Sequence, residues 1–195
     1  DCHKALNTLH EVFFEKNIKE INLFIIGVGN VGSKLLEQIE KQVDYLNEFL
    51  QLRIRVISIA NSKKMILSNN SININDWRIL LESGESNNLN KFYKHAKQLN
   101  LRNSIFIDNT ASKIISLEYE RYLNSNIGVV TCNKIACADT LENYLSLKKL
   151  SRKYGSPFLF ETNVGAGLPI IDALNNLIAS GDQIIEIEAV LSGSL

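Results

Sequence analysis

Ile21-Asn22-Leu23-Phe24-Ile25-Ile26-Gly27-Val28-Gly29-Asn30-Val31-Gly32 is the stretch on which the rest of the chain turns. Residues 21–26 are a compact apolar run rich in β-branched side chains, which predicts a strand, and the run passes without a gap into the glycine pattern. A GxGxxG pattern alone is a weak signal. Between a strand and the start of a helix it has a mechanism: Gly27 supplies a tight turn, Gly29 lets backbone approach a pyrophosphate, and Gly32 permits close helix-to-strand packing. The helix that follows would present unpaired N–H groups to the anion. A merely structural strand-to-helix turn is the plainer alternative, and the presence of all three glycines favours dinucleotide binding.

Downstream, Val31, Leu35, Leu36, Ile39, Val43, Leu46 and Phe49 recur at helical spacing and predict one long apolar helix face. Upstream, Leu6, Leu9, Val12 and Phe13 predict a short amphipathic helix over residues 4–14. Residues 53–60 read as a second strand. Residues 69–75 and 83–90 read as polar loops around a short helix carrying Trp77, Leu80 and Leu81. Helix is expected over 89–99, 112–123 and 138–154, the last with Leu141, Leu145 and Leu150 inward, and strand over 104–107, 127–131 and 158–160. Residues 167–180 read as a further helix. Residues 183–191 alternate as a strand through Ile185, Ile187, Ala189 and Leu191. The alternation predicts an α/β fold, a Rossmann-like doubly wound parallel sheet with helices on both faces, followed by a truncated second domain. The divisions expected are 1–20 as a preceding region or linker, 21–160 as the dinucleotide-binding domain and 161–195 as the start of the second.

A chain of 195 residues with 45% hydrophobic content can bury one sizeable core and the beginning of another. Lysine plus arginine equals aspartate plus glutamate at 21 each, so no net field favours nucleic acid or an anionic membrane, and a small-molecule ligand is expected. Cys2, Cys132 and Cys137 are odd in number and lack CxxC spacing, which argues for a cytoplasmic protein rather than a disulfide framework or thiolate zinc. His3, His10 and His95 lack zinc-ligand spacing. No apolar run reaches the roughly 20 residues of a membrane helix. The sequence opens at Asp1 without methionine or signal pattern and stops at Leu195 after a strand-like run, so both ends read as cuts.

Cofactor choice is read at the end of the second strand, where an acid would hold the ribose 2′-hydroxyl of NAD. Ala60-Asn61-Ser62-Lys63-Lys64 stands there instead, offering neutral donors and cations suited to a 2′-phosphate, so NADP is expected to be preferred over NAD. Simple solvation of the two lysines is the alternative. Two polar turns, 108–112 and 131–134, fall where ligands bind in open α/β sheets. Lys134 could meet a substrate carboxylate or a developing alkoxide, or be a solvated loop lysine. Cys132 beside it has no identifiable basic partner and reads as structural. In Glu161-Thr162-Asn163-Val164-Gly165-Ala166-Gly167-Leu168-Pro169, one carboxylate and a curled backbone would suit a hard monovalent cation; a glycine-rich helix start is the other reading.

In order, FIIGVGNVGSKLLEQI, ISIANSK, IDNTAS, VVTCNKIA, FETNVGAGLPII and VLSGSL resemble homoserine dehydrogenase, particularly the form fused behind an aspartate kinase. The resemblance runs from about residue 21 to 195, and residues 1–16 are similar to the last helix of the regulatory region in the fused enzymes. It implies reduction of L-aspartate 4-semialdehyde to L-homoserine with NADPH or NADH, on the path to threonine and methionine. By position, Gly27, Gly29, Asn30, Val31 and Gly32 would cradle the pyrophosphate. Ala60, Ser62 and Lys63 would surround the adenosine ribose, and Thr110 and Ala111 would approach the nicotinamide. Lys134 would act at the junction of cofactor and substrate as the candidate catalytic residue. Glu161 with the backbone oxygens of Val164, Ala166 and Leu168 would form a sodium site, and Ser192 and Gly193 would line the substrate. The family's substrate-gripping carboxylates, its proton-donating lysine and most of its homo-oligomerising sheet fall beyond Leu195. This chain by itself is therefore expected to bind cofactor without turnover. Rival readings are another NAD(P)-dependent reductase of a small aldehyde or keto acid, and a non-catalytic NADP-binding module regulating a fused kinase.

Overall fold

The structure, a computed structural model, describes Ala5, Leu6, Leu9 and residues 18–190. Strand β1 (Lys19–Ile26) lies at the centre of the sheet, parallel to β2 (Leu52–Ala60) on one side. Two further strands on that side, β3 (Lys64–Leu67) and β4 (Glu85–Ser86), run antiparallel. On the other side of β1 come β5 (Ser104–Asp108), β6 (Gly128–Thr131) and β7 (Phe158–Leu159), all parallel. The order across the seven-stranded sheet is β4-β3-β2-β1-β5-β6-β7. Connections therefore depart from β1 in both directions, which opens a crevice at the carboxyl ends of β1 and β5.

The expected α/β architecture is present, with a mixed edge. Neither β3 nor β4 is visible in the sequence pattern. Four residues are too few to show alternation, and Glu85-Ser86 is strand only because Lys64 and Met65 lie opposite it.

Alternation along β1 sends Leu23 and Ile25 to one face and Phe24 and Ile26 to the other. The first face is covered by α1 (Asn30–Glu48) and α2 (Trp77–Glu82) through Leu36, Ile39, Trp77 and Leu81. The second carries the larger core, under α3 (Leu89–Leu99), α4 (Lys113–Ser116), α5 (Tyr119–Leu123), α6 (Ile135–Ala138) and α7 (Leu141–Tyr154). Phe106 stacks on Tyr122 at 4.0 Å in the middle of it.

Several expected helices are shorter or broken. Residues 112–123 divide into α4 and α5 around Leu117 and Glu118. The helix expected over 138–154 begins at Leu141, because Asp139 is extended and the Thr140 hydroxyl accepts from the Asn143 N–H as an N-cap. Leu147 fills the core there, whereas Leu141 and Leu145 are exposed, contrary to their inward assignment. On α1 only the middle of the apolar face is used: Leu36 and Ile39 are buried, while Val31, Val43 and Phe49 are exposed. The helix expected from 167 starts at Ile170 as α8 (Ile170–Ala179), after Pro169.

Residues 183–190 do not form the expected strand. Ile185 is 97% exposed, and among the described residues no neighbouring strand offers it a backbone ladder. Of the expected N-terminal helix only Ala5, Leu6 and Leu9 are described; they are helical and exposed, and Val12 and Phe13 lie outside the described residues.

Candidate functional site

The glycine turn is closed by backbone. Gly27 has φ 93°, donates its N–H to the Ala60 carbonyl at 2.9 Å, and sits so close to the turn after β5 that a Cβ would lie 2.8 Å from the Asn109 carbonyl carbon. At Gly32 a Cβ would stand 1.9 Å from the Gly27 oxygen, so the first turn of α1 can meet the end of β1 only with glycine there. Gly29 is different: a Cβ would find nothing within 4 Å, because this residue faces open space.

Beside that space α1 begins without a side-chain cap and without an acidic residue in its first turn. Its first N–H groups thus look outward for an acceptor, and the helix dipole favours an anionic one.

A cavity of about 780 Å³ opens from this turn toward the antiparallel edge. Gly27, Val28 and Gly29 form one wall, Asn61, Ser62, Lys63 and Lys64 a second, and Trp77, Arg78, Leu81 and Glu82 a third. The second wall is a tight hairpin in which the Asn61 carboxamide oxygen accepts from Lys63 and Lys64 N–H, each at 2.7 Å. The Lys64 ammonium donates to the Gly84 carbonyl at 2.9 Å, and the Arg78 guanidinium lies 4.4 Å above the Trp77 ring. Three cations therefore share this cavity with one carboxylate, Glu82. Arg78 and Glu82 were not legible as site residues; only the fold of α2 brings them to the hairpin. Ala60, expected at the ribose, is fully buried and absent from these walls, because its side chain belongs to the core and its carbonyl holds Gly27.

A second cavity of about 720 Å³ lies across the α1 terminus, between Asn30, Val31 and Leu35 of the helix and Ile107, Val130 and Leu159 of the sheet, with Cys132 just after β6. Asn109 borders both cavities, and its side-chain Nδ2 is buried without a hydrogen-bond partner. Thr110 walls the first cavity, with its N–H donated to Asp108. Ala111 and Lys134 are exposed nearby and wall neither. Burial, followed by the Asp108 charge, pushes the Cys132 thiol up, which fits its reading as an unreactive group.

At the end of β7, the Glu161 carboxylate accepts from Ile171 N–H at 2.9 Å and Asp172 N–H at 2.8 Å, capping α8. The backbone between them curls through Gly165 and Ala166 at positive φ, 68° and 52°. Among the described residues no cluster of His, Cys, Asp or Glu is suited to a metal, and no helix is long and apolar enough to cross a membrane. Ser192 and Gly193 lie outside the described residues.

The family model described as homoserine dehydrogenase, NAD binding domain, matches residues 27–161. The chain belongs to the homoserine dehydrogenase family. A bifunctional aspartokinase/homoserine dehydrogenase of Buchnera aphidicola is 39% identical over 193 residues, which is 98% of this chain and 23% of that protein. The homoserine dehydrogenase of Schizosaccharomyces pombe is 33% identical over 90% of this chain and 47% of its own. Among solved structures, a hyperthermophilic archaeal homoserine dehydrogenase in complex with NADPH has a TM-score of 0.66 at 26% identity, covering 82% of this chain and 50% of that one. The chain thus holds the family's NAD-binding domain and spans about a quarter of the length of the fused relatives it matches.

Proposed function

We propose that this chain supplies the cofactor half of a homoserine dehydrogenase fused to an aspartate kinase, an enzyme that passes hydride between NAD(P)H and the aldehyde of L-aspartate 4-semialdehyde. The observation that carries the reading is the uncapped start of α1 beside Gly29, where a Cβ would meet nothing within 4 Å. The pyrophosphate would rest there, on the backbone N–H groups of residues 29–32. The adenosine half would enter the cavity of Ser62, Lys63 and Arg78, and the nicotinamide half would cross past Asn109 and Thr110 toward Lys134. The cofactor supplies the hydride; the chain's own part is to orient it. Titration of the chain with NADPH, followed by fluorescence, is expected to saturate without consumption of added aspartate semialdehyde. Absence of NADPH binding would overturn the reading, and turnover at the rate of a whole enzyme would overturn the assignment of the proton donor and substrate carboxylates beyond Leu195.

NADP is preferred in this reading because Lys63, Lys64 and Arg78 outnumber Glu82 around the expected 2′-phosphate. A sodium ion is assigned to Glu161 and the carbonyl oxygens of Val164, Ala166 and Leu168; the curl at Gly165 and Ala166 supports it. Its test is a higher melting temperature in sodium than in choline chloride, absent in Glu161→Gln. The exposed segment 183–190 supports assembly of the whole enzyme into a homo-oligomer through a sheet that this segment joins. Zero net charge supports small-molecule ligands over nucleic acid, and the free Cys132 and Cys137 support a reducing, cytoplasmic setting.

A further inference from the structure

Behind the two turns that follow β5 and β6 lies a buried polar chain that touches neither cavity except at Thr131. Asp108, fully buried, accepts from Thr110 N–H at 2.8 Å on Oδ1 and from the Tyr119 hydroxyl at 2.6 Å and the Asn133 amide at 2.9 Å on Oδ2. The Thr131 hydroxyl lies 2.7 Å from the Tyr119 oxygen and accepts from Asn133 N–H at 2.8 Å. Tyr119 has one proton, and the carboxylate takes it. With that proton engaged, the Thr131 proton points at the Tyr119 oxygen at 2.7 Å in preference to the Asp108 carbonyl oxygen at 3.2 Å, and the donors run in one direction: Asn133 N–H to Thr131, Thr131 to Tyr119, Tyr119 to Asp108. Such a series is mutually polarising. The Asn133 side chain also donates to the Ser112 carbonyl at 2.9 Å and accepts from Ile135 N–H at 3.2 Å. Lys134 is thus bracketed between two pinned residues, and Thr110 is pinned by the same carboxylate.

Stability alone does not call for this arrangement. A phenol and a carboxylate at 0% exposure both lose their water, and apolar residues of similar volume often serve as well or better. Tyr119 already packs as an aromatic, with ring centroids 6.2 Å from Phe106 and 6.0 Å from Phe158, contacts a phenylalanine would keep.

We propose that Asp108 and Tyr119 are positioning residues that hold the Thr110 and Lys134 turns in register, so that the nicotinamide half of the cofactor is gripped only while the buried chain between them is intact. The inference rests on the cofactor reading above. It predicts an effect that falls mainly on one half of the ligand: the β2–β3 hairpin and α2, which supply the cations of the adenosine cavity, make no bond to this chain, and Thr110, where the cofactor would cross toward the nicotinamide side, is the wall residue the two share.

The test uses Tyr119→Phe and, as a second break in the same chain that preserves volume, Asp108→Asn. Each is titrated calorimetrically with NADPH and with adenosine 2′,5′-bisphosphate, which lacks the nicotinamide half. Bisphosphate affinity is expected to stay within about twofold of wild type while NADPH affinity falls about tenfold, the scale of one lost charged hydrogen bond. Combining the two substitutions is expected to cost little more than either one, because they break the same link. Equal losses for both ligands would mean a merely structural role and overturn the inference. Unchanged NADPH affinity in both variants would overturn it alone, whereas a wild-type chain that binds neither ligand would remove the cofactor reading and this inference together.

Discussion

The glycine turn at residues 27–32 and the paired turns at 108–112 and 131–135 meet around the carboxyl ends of β1, β5 and β6, yet they are held by different means. The first needs almost no side chains: Gly32 lets a carbonyl approach where a Cβ would stand 1.9 Å away, and Gly27 takes φ 93°. The second pair is fastened by buried side chains, Asp108 of β5, Tyr119 of α5, Thr131 of β6 and Asn133 of the turn after β6. A backbone-built turn tolerates no added atom at its contact points, whereas a turn held by side chains tolerates changes of shape but not of hydrogen-bonding capacity.

The sharpest way to break that comparison is within the glycine motif. Gly32→Ala is expected to destabilise the chain at or beyond the upper end of the roughly 1–3 kcal/mol typical of overpacking, read by urea unfolding. Gly29→Ala, whose Cβ meets nothing, is expected to leave stability within about 0.5 kcal/mol while lowering NADPH affinity. Equal stability of the two variants would contradict the packing argument.

Next in size, the triple change Lys63→Ala, Lys64→Ala and Arg78→Ala is expected to cost NADPH about tenfold or more in affinity and NADH much less, on the scale of charge-assisted hydrogen bonds. Competitive calorimetry reads the ratio, and a persistent NADPH preference in the triple variant would sink the phosphate assignment. Smaller is Glu161→Gln, which keeps the shape but replaces one accepting oxygen: loss of about 1 kcal/mol of helix capping is expected, seen as faster amide exchange at Ile171 and Asp172.

The smallest expected effect concerns the thiols. Burial raises the pKa of both Cys132 and Cys137, so each stays protonated to higher pH than an ordinary cysteine and should alkylate slowly near pH 8, faster only as pH rises further. Cys132 borders the second cavity, so NADPH should protect it if the nicotinamide half enters there; mass spectrometry of the labelled peptides distinguishes the two residues.

Much of the central sheet was legible because short apolar runs separated by helical periodicity have few other solutions. Residues 53–60 and 104–107 became β2 and β5 nearly as expected, and 89–99 became α3. The errors have local causes. Thr140 cut one helix by capping the next, and the face of that helix that meets the core runs through Tyr144, Leu147 and Leu150, which leaves Leu141 and Leu145 outward. The pattern of 183–190 is a strand's, but a strand is a relation between chains of backbone, and its partner is not among the described residues.

What the sequence by itself determined is the glycine turn and its ligand class, since φ, the approach of Gly32 to the Gly27 carbonyl and unpaired helix N–H groups are properties of residues close along the chain. Tertiary structure alone decided which side chains surround that turn. Arg78 and Glu82 reach the Lys63 hairpin only because α2 folds back over β3, and Tyr119 reaches Asp108 only because α5 packs beneath β5 and β6. Such placements depend on burial and on hydrogen bonds between residues distant along the chain. No local pattern encodes them, because the free energy that selects them exists only once the core has closed.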